Sequence, residues 1–255
     1  FDEPITVAGN ALKMRLAADS RHLSDFSLRR NGSLKRGLEV TKYSYIGGFD
    51  DTSNMEAAFQ LQLNAVGTMA HYWVKVFMKL LRKLFPEKDE KGKSKHFEQI
   101  AFEQWLDANP NGTTLLIDTI HPRLGMIHAT RAAKSSEKRR KALKFVRLDS
   151  GDLAKVAHWI HNVLLANNME DVGIMVTGDV DEKEIKRVID ACPQVTGFGV
   201  GTKLAAETMV AGVIFKLCQI GNMATLKCSA TPGKETIPGI VQVWRCVDEE
   251  GFYVK

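Results

Sequence analysis

An arginine and an aspartate stand two residues apart in the segment Arg147–Asp152 (RLDSGD), directly after a short apolar run. Alternate side chains of an extended strand point to the same face, so we expect Arg147 and Asp149 to lie on the same face of the strand. The guanidinium can bind a carboxylate or a phosphate, and the carboxylate can face a developing cation or a sugar hydroxyl. The alternative is a structural ion pair between the two. Asp152 is expected to cap the helix that follows.

Glycines follow two other apolar runs. Gly199, Gly201 and Thr202 lie in the segment GVGTK. This segment predicts a phosphate-binding turn, because glycine lets the backbone approach an anion and free N–H groups can hold it. A tight strand-to-helix turn is the equal alternative. Gly178 and Asp179 end another run, where Asp179 can bind ribose hydroxyls or cap the next helix.

One histidine and two arginines complete the candidates. His71 ends the segment GTMAH and is followed by Tyr72 and Trp73, so a packed, hydrogen-bonded histidine is the ordinary interpretation. Arg29 and Arg30 are adjacent, and on a strand they would point to opposite faces. One would then serve a site and the other an interface, or both would lie on the surface.

The elements that must position these residues alternate between strands and helices. Short apolar runs bounded by turn residues predict buried strands, and helical patterns separate them. Such alternation indicates a parallel sheet, in a barrel or in a doubly wound arrangement. Polar residues at the carboxyl ends of its strands meet at one edge, where both architectures bind ligands. The predicted strands are Thr113–Asp118, Lys144–Asp149, Gly173–Gly178, Val195–Val200 and Val213–Gln219.

Helical patterns and one charged, Pro- and Gly-containing stretch account for most of the remaining chain. Asp152–Ala166, for example, places its apolar residues on one stripe, as an amphipathic helix does. The charged stretch Phe85–His96 predicts a solvated loop. The predicted helices are Met55–Ala65, Thr68–Phe85, Arg123–Leu143, Asp152–Ala166 and Asp181–Asp190.

The composition limits which classes of protein this chain can belong to. The 255 residues are 44% hydrophobic, which suffices for one large domain or two small ones. Four cysteines without a C-x-x-C pair favour a reduced, cytoplasmic protein. No apolar run is long enough to cross a bilayer, so we expect no membrane partner. The abrupt start at Phe1 and end at Lys255 lead us to expect a piece of a longer protein.

The net charge of +5 has two interpretations. It could attract nucleic acid, or it could focus small anionic substrates into a cleft. The basic residues cluster at Arg82–Lys95 and Arg131–Arg147, and neither cluster has the interleaved aromatic residues that stack on bases. We therefore expect no nucleic-acid partner.

In chain order, eight segments resemble the nicotinate phosphoribosyltransferase family, which are type II phosphoribosyltransferases. The segments are FSLRR, YIGGFDDTSN, GTMAH, LLIDT, RLDSGD, VTGDVD, GFGVGTKL and TPGK, and they run from Phe26 to Lys234. Each segment alone is unspecific, whereas eight in one order are specific.

The resemblance implies an α/β fold, an irregular TIM-like barrel with fewer strands than a full TIM barrel, beside a smaller sheet-rich domain. Residues 1–54 would form part of the smaller domain and lead into the barrel. Residues 55–255 would form the barrel domain, with truncation at either end. A homodimer with active sites near its interface is also implied.

The implied reaction joins nicotinate to phosphoribosyl diphosphate, and yields nicotinate mononucleotide and diphosphate in NAD salvage. ATP is a co-substrate, and Mg²⁺ accompanies the diphosphate without a metal site on the protein itself. His71 resembles the histidine that ATP phosphorylates transiently, which requires a neutral imidazole nitrogen. The further roles that the resemblance implies are catalysis by Asp149, substrate contact by Arg29, Ser53, Thr68, Asp118, Arg147 and Asp179, and phosphate binding by Gly178, Gly199, Gly201 and Thr202.

The chain departs from the family's pattern in two places. Ser27 stands where the family usually has glycine, and we find no N-terminal segment with the aromatic residue that stacks on the pyridine ring across the dimer. The sister family, which uses nicotinamide, has Asp at the position of Ser53 and Gly at the position of Arg30. Neutral Ser53 beside cationic arginines favours the acid substrate. A truncated, non-catalytic phosphate-binding paralogue is the other alternative.

Overall fold

One parallel sheet organises the protein. The computed structural model describes residues 2–81, 96–205, 216–229, 234–242, 244 and 246. Six parallel strands form the sheet in the order β2-β1-β6-β5-β4-β3, and a small antiparallel sheet pairs β7 with β8. Because β6 pairs with β1, the chain returns to its first strand, as in a barrel. The strands are β1 His22–Asp25, β2 Asp51–Thr52, β3 Thr113–Leu116, β4 Leu143–Leu148, β5 Gly173–Val176, β6 Gly197–Val200, β7 Gln219–Ile220 and β8 Met223–Ala224.

Helices connect the strands, and most of them begin at a side-chain cap. The Asp152 side chain accepts a hydrogen bond from the Lys155 N–H, which confirms the predicted cap, and Asp181 caps the next helix in the same way. A 3₁₀ turn spans Leu28–Arg30, and a π-helical turn spans Phe77–Leu81. The helices are α1 Asp2–Ala18, α2 Leu34–Ile46, α3 Met55–Leu61, α4 His71–Val76, α5 Phe97–Ala108, α6 Pro122–Lys134, α7 Glu137–Ala142, α8 Leu153–Leu165, α9 Glu182–Ala191 and α10 Thr202–Ala205.

A single buried cluster joins the apolar side chains of the sheet and the helices. Every residue of β6 is buried, as is typical of parallel strands that are covered on both faces. Helix α8 contributes Leu153, Ala157, Ile160 and Leu164, whose spacing places them on one stripe. No helix of the described ranges combines the length and apolar character that a membrane span requires.

The structure confirms the predicted α/β barrel class and four of its strands, and it adds two that the pattern did not indicate. β1 lies between β2 and β6, and β2 is only two residues long. Ser24 and Asp25 of β1 are buried although their residue types are polar. Strands from both sides of the predicted boundary at residue 54 therefore share one sheet, and the smaller sheet-rich domain stays a prediction.

Several predicted boundaries were wrong. The single helix Arg123–Leu143 is two helices, because Ser136 accepts a hydrogen bond from a backbone N–H and starts α7. The helix predicted from Met55 ends at Leu61, where Gln62 adopts a left-handed conformation. The helix predicted from Thr68 begins at His71. The predicted helix end and loop at residues 82–95 lie outside the described residues, as do residues 213–215 of the predicted fifth strand. Residues 216–218 of that segment are not in a strand, and Gln219 begins β7 of the antiparallel sheet.

Candidate active site

The carboxyl ends of the strands of the six-stranded sheet open onto a cavity of 810 Å³. Eleven of the twelve predicted site residues line it, and they come from segments far apart in the sequence. Parallel strands bring their carboxyl ends to one edge, which explains why these residues meet. The eleven are Arg29, Ser53, Thr68, His71, Arg147, Asp149, Gly178, Asp179, Gly199, Gly201 and Thr202.

Arg147 is held by side chains that also line the cavity. Its Nε donates to Thr177 Oγ1 at 2.8 Å, and its Nη1 donates to Thr68 Oγ1 at 2.6 Å. Its Nη2 donates to Asp149 Oδ1 at 3.0 Å. The guanidinium also lies over the Phe26 ring, 5.2 Å from the ring centroid. Arg147 therefore forms an ion pair with Asp149 and still faces the cavity, so the structural and the ligand-binding interpretations are compatible.

Asp149 is an ionised carboxylate at neutral pH. Burial alone would raise the pKa of Asp149, but the neighbouring His71, Arg147 and Thr177 hold that pKa well below its usual range. The Thr177 hydroxyl donates to Asp149 Oδ1 at 2.6 Å. A fixed negative charge therefore lies beside the guanidinium at the cavity wall.

His71 is the first residue of α4, and its side chain is 23% exposed. Its Nδ1 lies 3.1 Å from Thr119 Oγ1, a hydroxyl that can donate or accept, so either tautomer is possible. Its Nε2 lies 3.9 Å from Asp118 Oδ1 and 4.0 Å from Asp149 Oδ2. Among the described residues, Nε2 has no hydrogen-bond partner. Within the described ranges, then, one nitrogen of His71 is hydrogen-bonded and the other is not, and the role of this histidine stays a prediction.

Asp118 is the predicted site residue that does not line the cavity. It is 1% exposed and accepts hydrogen bonds from the Asp149 N–H at 3.1 Å and from the Ser150 hydroxyl. Its other oxygen, Oδ1, faces His71 and has no hydrogen-bond partner within the described part of the chain. Asp118 thus lies behind the imidazole of His71, and the expected substrate contact by Asp118 stays a prediction.

Two glycines at the cavity wall are required by geometry. A Cβ atom on Gly199 would lie 2.6 Å from the Phe26 ring and 2.8 Å from Thr177 Cγ2, so a side chain there would displace both. Gly178 has φ +111°, which side chains rarely adopt. After Gly201, Thr202 begins α10, and the first N–H groups of a helix have no acceptor within it.

Arg29 and Arg30 both line the cavity. They lie in a 3₁₀ turn rather than in a strand, so they need not point to opposite faces. Burial and the charge of Arg30 lower the pKa of Arg29. Ser27, in the place of the family's glycine, has φ −86° and needs no glycine. The Ser53 hydroxyl donates to the Asp25 carbonyl at 3.1 Å, and its oxygen remains an acceptor at the cavity.

Sequence reasoning missed a basic wall and an aromatic wall of the cavity. Lys75 is 3% exposed, donates to the Leu217 carbonyl at 3.0 Å, and has a pKa that burial lowers. Phe26 carries the ring below Arg147. Lys75 lies one helical turn after His71, which was the available signal for it. The other lysines of the wall are Lys216, Lys227 and Lys234.

Comparison with known proteins agrees with this arrangement. The sequence model of the nicotinate phosphoribosyltransferase (NAPRTase) family matches residues 21–221. A nicotinate phosphoribosyltransferase of Mycobacterium tuberculosis is 31% identical over 248 residues, which are 96% of this chain and 49% of that protein. The human nicotinate phosphoribosyltransferase is 28% identical, over 96% of this chain and 53% of its own length. The chain thus spans about half the length of the curated relatives it matches.

Solved structures give the same result for the fold. A nicotinate phosphoribosyltransferase from Vibrio cholerae superposes with a TM-score of 0.69 at 21% identity, over 92% of this chain and 58% of that one. The human nicotinic acid phosphoribosyltransferase superposes with a TM-score of 0.61 at 26% identity, over 76% of this chain and 46% of that one. The family model covers most of the chain, and the chain therefore belongs to the nicotinate phosphoribosyltransferase family.

Proposed function

We propose that this protein joins nicotinate to phosphoribosyl diphosphate, forming nicotinate mononucleotide and diphosphate, with ATP hydrolysis coupled to the reaction. One observation carries the proposal: His71 lines the same cavity as Arg147, Asp179 and Thr202. An imidazole, a guanidinium, carboxylates and a glycine turn around one volume are the groups that this transfer needs.

Nicotinate fits the wall formed by Phe26, Ser53 and the arginines. The Phe26 ring offers an apolar surface for the pyridine, and Arg147 lies over that ring at 5.2 Å. A guanidinium binds a carboxylate through paired hydrogen bonds. Ser53 adds no negative charge to this wall, whereas a carboxylate there would repel nicotinate. This supports the acid over nicotinamide, the alternative substrate.

The ribose fits against Asp149 and Asp179. Departure of diphosphate leaves positive charge on the ribose C1, and the fixed charge of Asp149 would stabilise it without reorganisation. The pyridine nitrogen is a weak nucleophile, so that its position against C1 contributes more than its activation. Asp179 is exposed to the cavity and has no hydrogen-bond or ion-pair partner in the described residues, which suits it to ribose hydroxyls.

The phosphate groups fit the glycine turn and the lysine wall. Gly199, Gly201 and Thr202 would hold the 5′-phosphate through backbone N–H groups. The lysines around Lys75 would hold the diphosphate as point charges. Mg²⁺ prefers oxygen ligands and keeps several waters, so we expect it on the diphosphate oxygens rather than in a site made of protein ligands. When bound, Mg²⁺ would neutralise charge that develops on the leaving group.

ATP would act through His71. One imidazole nitrogen attacks the γ-phosphorus, the bond to the ADP oxygen breaks, and the ring acquires positive charge. Asp118 and Asp149 lie 3.9 and 4.0 Å from Nε2, where their carboxylates would stabilise that charge. Later hydrolysis of the phosphohistidine would regenerate the neutral ring.

We further propose a cytoplasmic homodimer. The four cysteines are free thiols, as a reducing compartment favours. Met55 and Tyr72 line the cavity and are 68% and 55% exposed, and Phe59 nearby on α3 is 83% exposed. An apolar surface at the rim of a site is one that a second copy can cover. Sedimentation of the purified chain measures the dimer.

The test of the reaction uses ATP labelled at the γ-phosphate. The chain should acquire an acid-labile, base-stable label, and His71→Asn should abolish it, while the exposed His158→Asn on α8 keeps it. Label that persists in His71→Asn would remove His71 from the mechanism. Turnover of nicotinate and nicotinamide is compared by kcat/KM in the same preparation. Phosphate binding without turnover of either would favour the non-catalytic alternative.

A further inference from the structure

Away from the cavity lining, two imidazoles and a carboxylate converge where α5 begins beside α6. One potential ligand atom from each of His96, Glu98 and His128 lies within 4.8 Å of the other two. His128 Nδ1 is 2.7 Å from Glu98 Oε2. The rings of His96 and His128 stack with centroids 4.4 Å apart, so that one ring would turn to direct a nitrogen at a shared ion. Three donors thus come from two helices and from the residue that caps one of them.

Glu98 is the unusual member of this group. It is 0% exposed, and its Oε1 has no hydrogen-bond partner among the residues that the structure describes. A buried carboxylate oxygen without a donor is costly, because it has left water without compensation. In the part of the chain that the structure describes, His128 is hydrogen-bonded to the other oxygen of this carboxylate, Oε2. The arrangement therefore contains a buried acceptor that a cation would satisfy.

We propose that His96, Glu98 and His128 bind one Zn²⁺ ion. Imidazole nitrogens and a carboxylate oxygen are ligands that zinc takes in a tetrahedral site, with water in the fourth position. Harder ions such as Mg²⁺ and Ca²⁺ prefer sets made of oxygen alone. The sequence predicted no metal site on the protein, because His128 is 30 residues from Glu98 and only packing of α5 on α6 brings them together.

The ion would fix the start of α5 against α6. α5 also packs on α4, and Trp73 of α4 donates its Nε1–H to the Ala101 carbonyl of α5 at 2.9 Å. His71 is the first residue of that same α4. The metal site is thus linked through α5 to the helix that carries the imidazole of the cavity. This inference does not rest on the proposed reaction.

The test is a Co²⁺ titration of the chelator-treated 255-residue chain, followed by competition with Zn²⁺. We expect one equivalent of Co²⁺ with visible d–d bands and without the near-ultraviolet thiolate band that cysteine ligands would give. Zn²⁺ should raise the midpoint of thermal unfolding, because a ligand that binds only the folded state stabilises it. No binding by the folded wild-type chain, or a thiolate band, would overturn the site.

Variants separate a metal site from a simple Glu–His ion pair. His96→Asn, Glu98→Gln and His128→Asn should each weaken Co²⁺ binding by about 10-fold or more. His158→Asn, which removes an exposed histidine of α8, is the matched control and should bind as wild type does. Because His96 is exposed, His96→Asn keeps the test valid even where the buried variants unfold. Undiminished binding by folded His96→Asn and Glu98→Gln would refute the proposal.

Discussion

At the carboxyl ends of the strands, Arg147, Asp149 and His71 surround a cavity. At the amino end of β1, Arg15 and His22 meet Asp50, so the same three residue types form a second group there. Sequence composition does not distinguish these groups. What differs is where their polar atoms are directed.

In the second group, the donors of Arg15 are directed to the protein's own backbone. Arg15 donates to the carbonyls of Gly48, Asp19 and Arg21, and to Asp50 at 2.6 Å. Arg147, in contrast, donates to side chains that line the cavity, beside an imidazole Nε2 without a partner in the described part of the chain. The group at the strand ends therefore differs from the second group in that its arginine contacts side chains that line an open cavity.

The largest expected effect is on Arg147→Met. This substitution removes the three hydrogen bonds of the guanidinium and its contact with nicotinate. The loss of one charged contact with the substrate should lower kcat/KM for nicotinate about 100-fold. Arg147→Lys should lose less, because it keeps the charge but not the planar fork. Steady-state kinetics with nicotinate measure both. Unchanged kinetics in the folded Met variant would contradict the comparison.

A smaller and different effect is expected for Arg15→Met. The variant should lower the free energy of unfolding by about 1–2 kcal/mol, because the backbone carbonyls lose a charged donor. Its kcat/KM should equal that of the wild-type chain. Urea denaturation and kinetics on the same preparation measure the two quantities. A fall in kcat/KM as large as that of Arg147→Met would mean that the two groups are not functionally distinct.

The smallest effect concerns pH and His22. The hydrogen bond to Asp51, at 2.5 Å, raises the pKa of His22 above its usual value of about 6.5. Because the pKa of His22 is higher in the folded state than in the unfolded state, the protonated ring stabilises the folded state. This stabilisation is fully present below a pH of about 6.5 and is lost as the pH rises through the folded-state pKa. Because the ring is 47% exposed, we expect less than about 1 kcal/mol.

Unfolding of wild type and His22→Gln at several pH values measures this contribution. The difference between the two should be largest in mild acid and should vanish in mild alkali. A difference that is independent of pH would show that the ring contributes by packing rather than by its charge.

The strands β3 to β6 were predictable because each contains a short, mostly apolar run near a turn signal. β1 was not, because His22–Asp25 reads HLSD and contains one large apolar residue. Its burial comes from pairing with β6 on one side and β2 on the other. Non-local pairing leaves no periodic signal in so short a segment.

The residues of the candidate site also fall into those that the sequence predicted and those that it did not. Its arginine, its glycines and its acids at strand ends could be located, because a parallel sheet gathers those ends. Thr177, Thr119 and Phe26 could not, since a threonine or phenylalanine near a strand end has no pattern of its own. Lys216 and Lys227 reach the cavity from a segment that no strand of the six-stranded sheet carries.

By itself, then, the sequence determined the alternation of strands and helices, the edge at which ligands would bind and most residues of that edge. Only the tertiary structure decided that Asp118 lies behind His71 rather than on the cavity, and that Glu98 meets His128. The physical reason is that the sequence patterns are local, whereas the contacts join residues that are distant in the chain. Periodicity and strand-end position are local properties of a chain, whereas the partner of a buried polar atom depends on which distant element packs against it.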